Sequence, residues 1–281
     1  GAPTSAWALT IASSTFRVAE FRKPEFEVSV RRERAHYIDG QTIDARTTAA
    51  FFFGGAVVGA PVAWSARSDP EPIRVPGYQR YSFSDDDQFR QAVVRDPLRG
   101  SGSATTDTAG QASFAVPAAL RASEGTQRFT LSATVTDLSA QAVAGSATVT
   151  VHPAELYAGI RPAQYLASEG TAARIELVTV DTEGKILAGR PVTVKVYERQ
   201  WITTKAQYGD ERFYQSEPRD TLIDTLRATT GSDGEGSVLV LPRKPGTLRL
   251  VAEVTDARGR IARSATFLWV SGSGIASWRV T

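Results

Sequence analysis

Residues 37–64 read YIDGQTIDARTTAAFFFGGAVVGAPVAW, and residues 165–194 read YLASEGTAARIELVTVDTEGKILAGRPVTV. In each, a Tyr and a polar turn lead into a long strand, a Gly-containing hairpin, and a Pro-Val that opens another strand. Further blocks pair in the same order. TDTAGQASFAVP at 106–117 matches GSDGEGSVLVLP at 231–242, GTQRFTLSATVTD at 125–137 matches GTLRLVAEVTD at 246–256, and GSATVTVHPAELYAGI at 145–160 matches RSATFLWVSGSGIASW at 263–278. Ordered blocks offset by roughly 120–130 residues mark two copies of one domain.

Within each copy the apolar residues alternate with polar ones, and they are the Val, Phe, Ile, Thr and Trp that suit a pleated surface with one buried face. Phe26, Val28 and Val30 form one inward set; Ile43, Ala45, Thr47, Ala49, Phe51 and Phe53 form another. Val62 with Trp64, Ala112-Phe114-Val116, Phe129-Leu131-Ala133-Val135 and Ala147-Val149-Val151 continue the series. Turns are expected at Asp39-Gly40, Gly54-Gly55, Asp107 to Gly110, Asp181 to Gly184 and Asp233 to Gly236. Residues 117–125 have room for one short helical turn, and no segment sustains a helical stripe. The fold class is therefore all-β, a tandem of immunoglobulin-like antiparallel β-sandwiches.

The 281 residues suit two domains of roughly 100–150 residues, each able to bury a core. The expected boundaries are 24–152 and 153–271. Residues 1–23 read as the C-terminal end of a preceding domain, and 272–281 as the start of a linker to the next. Lys23-Pro24 makes a stiff join, because Pro fixes φ and biases Lys23 toward extended backbone. The absence of Met and the start Gly1-Ala2-Pro3 point to a piece of a longer polypeptide. Residues 68–105 and 202–230 are not shared between the copies and read as long loops, the kind of connection that is usually functional or mobile.

Thirty-two basic and thirty acidic residues leave a net charge of +2, too little to hold a nucleic-acid backbone. Nearly all the cations are Arg, a compositional habit. No Cys is present, which excludes a disulfide framework, a thiol nucleophile and thiolate metal sites.

The chemical candidates are few, and no catalytic, cofactor-binding or metal residue is assigned. His36 and His152 are the only histidines; one pair makes no three-ligand metal site without carboxylate help, no nucleophile elbow accompanies them, and packing at a surface or junction is the plain reading. Asp85-Asp86-Asp87 is the densest acidic run but lacks the alternation and Gly of an EF-hand loop, so a solvated loop is expected. Asp107 and Asp233 each precede Gly by three residues, as in an Asx-type turn. Tyr78, Tyr81, Phe83 and Phe89, interleaved with Arg80 and Arg90, and the pair Trp201 and Tyr208, form either a glycan or peptide surface or, preferably, pins that fasten the loops to neighbouring modules.

FRVAEFRKPEFEVSV at 16–30, FFFGGAVVGAPVAW at 51–64, LYAGIRPAQY at 156–165, DTEGKILAGRPVTVKVYERQW at 181–201 and TFLWVSG at 266–272 resemble the macroglobulin-type domains of bacterial α2-macroglobulins. The first block resembles the junction of the second and third such domains, so the resemblance places the two copies third and fourth. It implies a scaffold part of a large protease trap. With no Cys there is no thioester here, and no segment is identifiable as bait. It further implies no enzyme activity, no cofactor, neighbouring domains of the parent chain and trapped proteases as partners, a role in host defence, and a periplasmic or otherwise extracytoplasmic location, the parent held by a membrane anchor absent from these residues. The competing readings are a tandem immunoglobulin-like adhesin that recognises glycan or protein through 68–105 and, weakest, an enzyme with an accessory sandwich.

Overall fold

A computed structural model of the chain describes residues 25–85, 87, 97–122, 124–208 and 211–272, the side chains of 203–215 excepted. The expected flanks 1–23 and 273–281 and the Lys23-Pro24 join lie outside the described residues.

Sixteen strands follow one another: β1 Phe26–Arg32, β2 His36–Ile38, β3 Gln41–Phe51, β4 Pro61–Pro70, β5 Leu98–Thr105, β6 Gln111–Ala118, β7 Gln127–Thr136 and β8 Ala142–His152, then β9 Leu156–Pro162, β10 Leu166–Ser168, β11 Ala173–Asp181, β12 Pro191–Tyr208, β13 Glu211–Thr229, β14 Glu235–Val240, β15 Gly246–Thr255 and β16 Ile261–Ser271. The first set forms a sheet of order β1-β3-β6 and another of order β2-β8-β7-β4-β5. The second set forms β9-β11-β14 and β10-β16-β15-β12-β13, the same two orders with each label raised by eight. The short pairs β2 with β8 and β10 with β16 are parallel; the rest are antiparallel. The all-β sandwich architecture expected from alternation is thus borne out.

Alternation fills both cores. Phe26, Ile43 and Val116 from the small sheet meet Val62, Phe129, Leu131 and Val135 from the large one. In the second sandwich Ile160, Ile175 and Leu177 meet Val194, Leu250 and Leu268. Each such side chain contributes roughly 1.5–3 kcal/mol by leaving water. Trp64 stacks on Phe114 with ring centroids 4.9 Å apart, and Gly102 makes room for it, since a Cβ there would lie 2.7 Å from the indole. Phe53 departs from its expected inward place: β3 ends at Phe51, and Phe53 stands in the turn, 80% exposed. Residues 119–122, where a helical turn was allowed for, continue from β6 as irregular backbone and a turn.

The hairpins share one device. Asp107, Asp137, Asp181 and Asp256 each accept, through Oδ1, hydrogen bonds from the backbone N–H two and four residues on. Such Asx turns lead into a left-handed residue, Gly at 110, 184 and 259 but Ala140 (φ 61°) in the third. Asp233 also makes an Asx turn, to Glu235 N, but two places out of step. Ala49 N donates to Gly110 O as Thr179 N does to Gly234 O, so Gly234 is the counterpart of Gly110, and Gly231 that of Asp107.

The two unshared segments take different forms. Residues 202–230 are not a loop: β12 and β13 pair from Pro191↔Thr229 to Tyr208↔Glu211, with one bulge at Ile223 where the register shifts between Val196 and Tyr197. Beyond Arg199, where β12 stops pairing with β15, the hairpin continues as a two-stranded arm about 30 Å long at strand rise. Glu71 is tied back to Thr126, Arg128 and Thr150 of the first sandwich, and residues 73–85 then cross to the second one.

Left-handed backbone costs a non-Gly residue roughly 1–2 kcal/mol, partly offset by the freedom Gly gains when unfolded. Ala140→Gly should therefore raise stability by about 0.5–1 kcal/mol in urea unfolding. Gly110→Ala should lower it by about 2 kcal/mol or more, because its Cβ would also sit 2.4 Å from Ala49 O.

Candidate functional site

The side chains that carried chemical promise in the sequence converge on the joint between the sandwiches. One side of the joint is a strap, residues 71–85 with Asp87, running from the end of β4 across the second sandwich. Ser82 forms a two-way antiparallel bridge with Ile160 on the edge of β9, N to O at 2.9 Å in both directions. Ser84 O accepts from Ala265 N on β16 at 3.0 Å. Val75 and Phe83 are buried in the second core, with Ile73, Tyr78 and Tyr81 packed against it. Gly159 is required here: a Cβ would lie 2.6 Å from the Phe83 ring. Val75 also reaches the β11–β12 hairpin at Gly184.

The strap ends in an ion cluster. Arg249 on β15 holds Asp85 at 2.5 Å and Asp87 at 3.0 Å. Arg199 on β12 pairs in two places with Asp87 and in two with Asp220, its cross-strand partner on β13. The Arg199 side chain is only 2% exposed. Burial opposes its charge, but the hydrogen bonds of Asp220 and Asp87 outweigh this and raise its pKa. The guanidinium also lies over Phe267 and Trp201, at 5.1 and 5.9 Å. Asp85 and Asp87 are therefore not a solvated loop but the acidic half of a buried clamp. No cluster of three or more His, Cys, Asp or Glu with metal-binding geometry occurs among the described residues.

The other side of the joint carries both histidines. His152 ends β8, three residues before β9 begins, and is 1% exposed. His36 Nδ1 and His152 Nε2 are 3.0 Å apart; His152 Nδ1 meets the Tyr157 hydroxyl at 2.7 Å, and that hydroxyl meets Thr126 Oγ1 at 2.6 Å. Burial first, then the charge of His36, hold the His152 pKa down to about 4, Glu71 opposing. Burial also raises the Tyr157 pKa. Arg260 adds a further link, to Glu155 at 2.6 Å, Asp256 at 2.7 Å and the Asp39 carbonyl at 3.3 Å.

Among the aromatic candidates, Phe83 is core, and Tyr81 packs under Arg161 at 4.9 Å, itself paired to Glu176 at 2.5 Å. Tyr78, Arg80 and Tyr81 line one wall of a groove of about 570 Å³ whose opposite wall holds Arg174, Glu176, Asp233 and Glu235. Phe89, Arg90, Asp86 and the side chain of Tyr208 lie outside the described residues. Sequence reasoning missed Arg199, Arg249 and Asp220; the repeat itself carried no signal for them, as they sit among ordinary strand residues.

Two predictions test the joint. Converting Asp85→Asn and Asp87→Asn together leaves Arg249 with Asp220 alone at 3.4 Å and removes half of Arg199's partners, and should cost about 2–4 kcal/mol and speed hydrogen exchange at the Ser82 and Ile160 amides. His152 has a folded pKa below its unfolded value of about 6.5, so the unfolded chain binds more protons between those values. Its contribution is full above about pH 6.5 and is lost as pH falls toward 4, up to about 3 kcal/mol. His152→Asn, which keeps a partner for Tyr157, should remove that part of the acid slope in unfolding measured from pH 7 to 4.

Comparison with known proteins agrees with this architecture. Residues 159–270 match the family model described as bacterial macroglobulin domain 6. Over 270 residues, 95% of the chain, the sequence is 23% identical to an alpha-2-macroglobulin homolog of Nostoc sp., of which it covers 14%. The native conformation of E. coli alpha-2-macroglobulin superposes with a TM-score of 0.64 at 16% identity, over 90% of this chain and 16% of that one. Salmonella alpha-2-macroglobulin reacted with methylamine gives 0.62 at 14% identity, over 90% and 17%. The chain thus spans less than a fifth of each of these relatives. The matching model carries the number six where the resemblance implied third and fourth places. The resemblance read from the sequence is borne out: the chain is similar over nearly its whole length to bacterial alpha-2-macroglobulins, and residues 159–270 match a bacterial macroglobulin domain.

Proposed function

We propose that this chain is a pair of scaffold domains, 24–152 and 153–271, of a bacterial protease trap of the alpha-2-macroglobulin type, and that it has no enzymatic activity of its own. The observation that carries this reading is the joint. Asp85, Asp87, the two histidines, Tyr78, Tyr81 and Phe83, which are among the side chains best suited to chemistry, are engaged in fastening one sandwich to the other. A rigid pair is what a large assembly needs in order to position parts located elsewhere. The reading places the intact protein in the periplasm or otherwise outside the cytoplasm, with neighbouring domains of the same polypeptide and trapped proteases as its partners.

The isolated chain should neither slow elastase on a small or protein substrate nor form a covalent adduct with it, while the intact protein should protect large substrates. Stoichiometric inhibition by the isolated chain would sink the scaffold reading.

The groove beside Tyr78 and Tyr81 supports a second reading, a surface module that recognises glycan or protein. Its test is a glycan array and pull-down with Tyr78→Ala and Tyr81→Ala. Phe83 is left intact because its removal would empty the core. Binding lost in both variants would favour this second reading over the scaffold.

A further inference from the structure

The two sandwiches are built alike but are not equally covered, and the difference outlines a second docking surface. On the second sandwich the strap passes the β11–β12 hairpin at Gly184, lies over Gly159 and Val178, and bridges Ile160. Its presence buries β9 on both faces: of Leu156–Pro162, only Arg161 is not fully buried.

Strand register gives the counterparts on the first sandwich. Leu156 pairs with Asp181 as Phe26 pairs with Phe51, which sets Val30 in the place of Ile160, Ser29 in that of Gly159, and Arg31 in that of Arg161. Asp44 and Arg46 stand where Arg174 and Glu176 stand, and Ser113 where Ser237 does. The two hairpins correspond through the bridges Ala50↔Ala56 and Val180↔Ile186. On the first sandwich this surface is open. In β1, Glu27, Ser29, Arg31 and Arg32 are exposed. At the hairpin tip, Phe52 and Phe53 are 63% and 80% exposed. A groove of about 570 Å³ lies along Arg31, Arg32, Asp44, Arg46 and Ser113, on the same sheet face as the groove that the strap walls on the second sandwich.

The charges differ in a way that specifies the occupant. On the second sandwich the cross-strand pair is Arg161 with Glu176, opposite charges joined in an ion pair within the sheet. Its counterpart is Arg31 directly opposite Arg46, two like charges whose juxtaposition is unfavourable. Neither has an ion-pair partner among the described residues.

We propose that this face of the first sandwich is the seat of the β4–β5 connection of a preceding sandwich of the same type, docked as residues 73–85 dock on the second. The seated segment places an apolar side chain against Phe52 and Phe53, in the role of Val75. Over Ser29 and Thr48 it carries a residue smaller than Phe83, because Ser29 has the Cβ that Gly159 lacks. Against Arg31 and Arg46 it carries a carboxylate where the second sandwich receives Tyr81. The inference rests on the reading of the chain as part of a domain array.

The test uses the intact protein with the photoreactive amino acid p-benzoylphenylalanine at position 53, irradiated and mapped by mass spectrometry. Crosslinks into the connecting segment of the sandwich that precedes this chain are expected. Crosslinks confined to residues 1–23, crosslinks to a second molecule, or none at all would overturn the proposal. Arg46→Glu in the same protein rebuilds the pairing of the second sandwich, so this chain should fold with an unchanged or higher Tm while crosslinking falls several-fold; undiminished crosslinking overturns the acidic partner. A protease-protection assay on the same preparations keeps the two readings apart, since protection without the expected crosslink removes only the docking proposal.

Discussion

Two guanidinium groups hold three carboxylates at the root of the β12–β13 arm. Arg199 and Asp220 face each other across β12 and β13 at the point where β15 stops supporting β12, and Arg249 on β15 completes the floor. Alone, this cluster would be two buried cations with one anion, a costly arrangement. Asp85 and Asp87 arrive from the other sandwich and turn it into a charge-paired network. Each sandwich thus completes something the other leaves unfinished: the second lacks anions, and the first has a long connection with apolar residues that its own core does not take up.

The main-chain bridge at Ser82 and Ile160 makes this more than an electrostatic contact. An edge strand such as β9 presents unpaired N–H and C=O groups, and the strap pairs part of that edge while Phe83 covers its face. Salt screens exposed charges far more than buried ones, and the Phe83 and Val75 burial does not depend on charge at all. The strap therefore combines a hydrophobic anchor, which holds it, with ion pairs that fix its register along the sheet.

Much of the fold was legible because a half-buried strand writes its burial into every second residue: Phe129, Leu131, Ala133 and Val135 are all fully buried. The order of the repeated blocks carried the shared topology of the two halves. The arm was missed for the converse reason. Beyond Arg199, β12 pairs with β13 and no longer with β15, and the polar and aromatic mixture of residues 202–218 shows no strand alternation and reads as loop. The turn at Asp233 was misplaced by two residues, because the Asp-x-x-Gly spelling of the first copy recurs at 233–236 while the turn itself starts at Gly231. The joint was illegible for a deeper reason. A run of three aspartates shows its charge but not what it faces, and its partners lie more than a hundred residues away.

Only Pro153, Ala154 and Glu155 connect β8 to β9, and a short connection by itself limits separation, not rotation. Rotation is removed by attachment at two places. The His36, His152, Tyr157 and Thr126 chain locks the near end of β9 to the first sandwich, and the strap reaches Ile160 and the far side of the large sheet. Since all these contacts form within one polypeptide, the high effective concentration of a tethered segment lets individually modest interactions hold together. Turning one sandwich against the other would have to expose Phe83, break the Ser82 bridge and leave Arg199 short of a partner in a single step. Attachment at both places therefore resists rotation of one sandwich against the other.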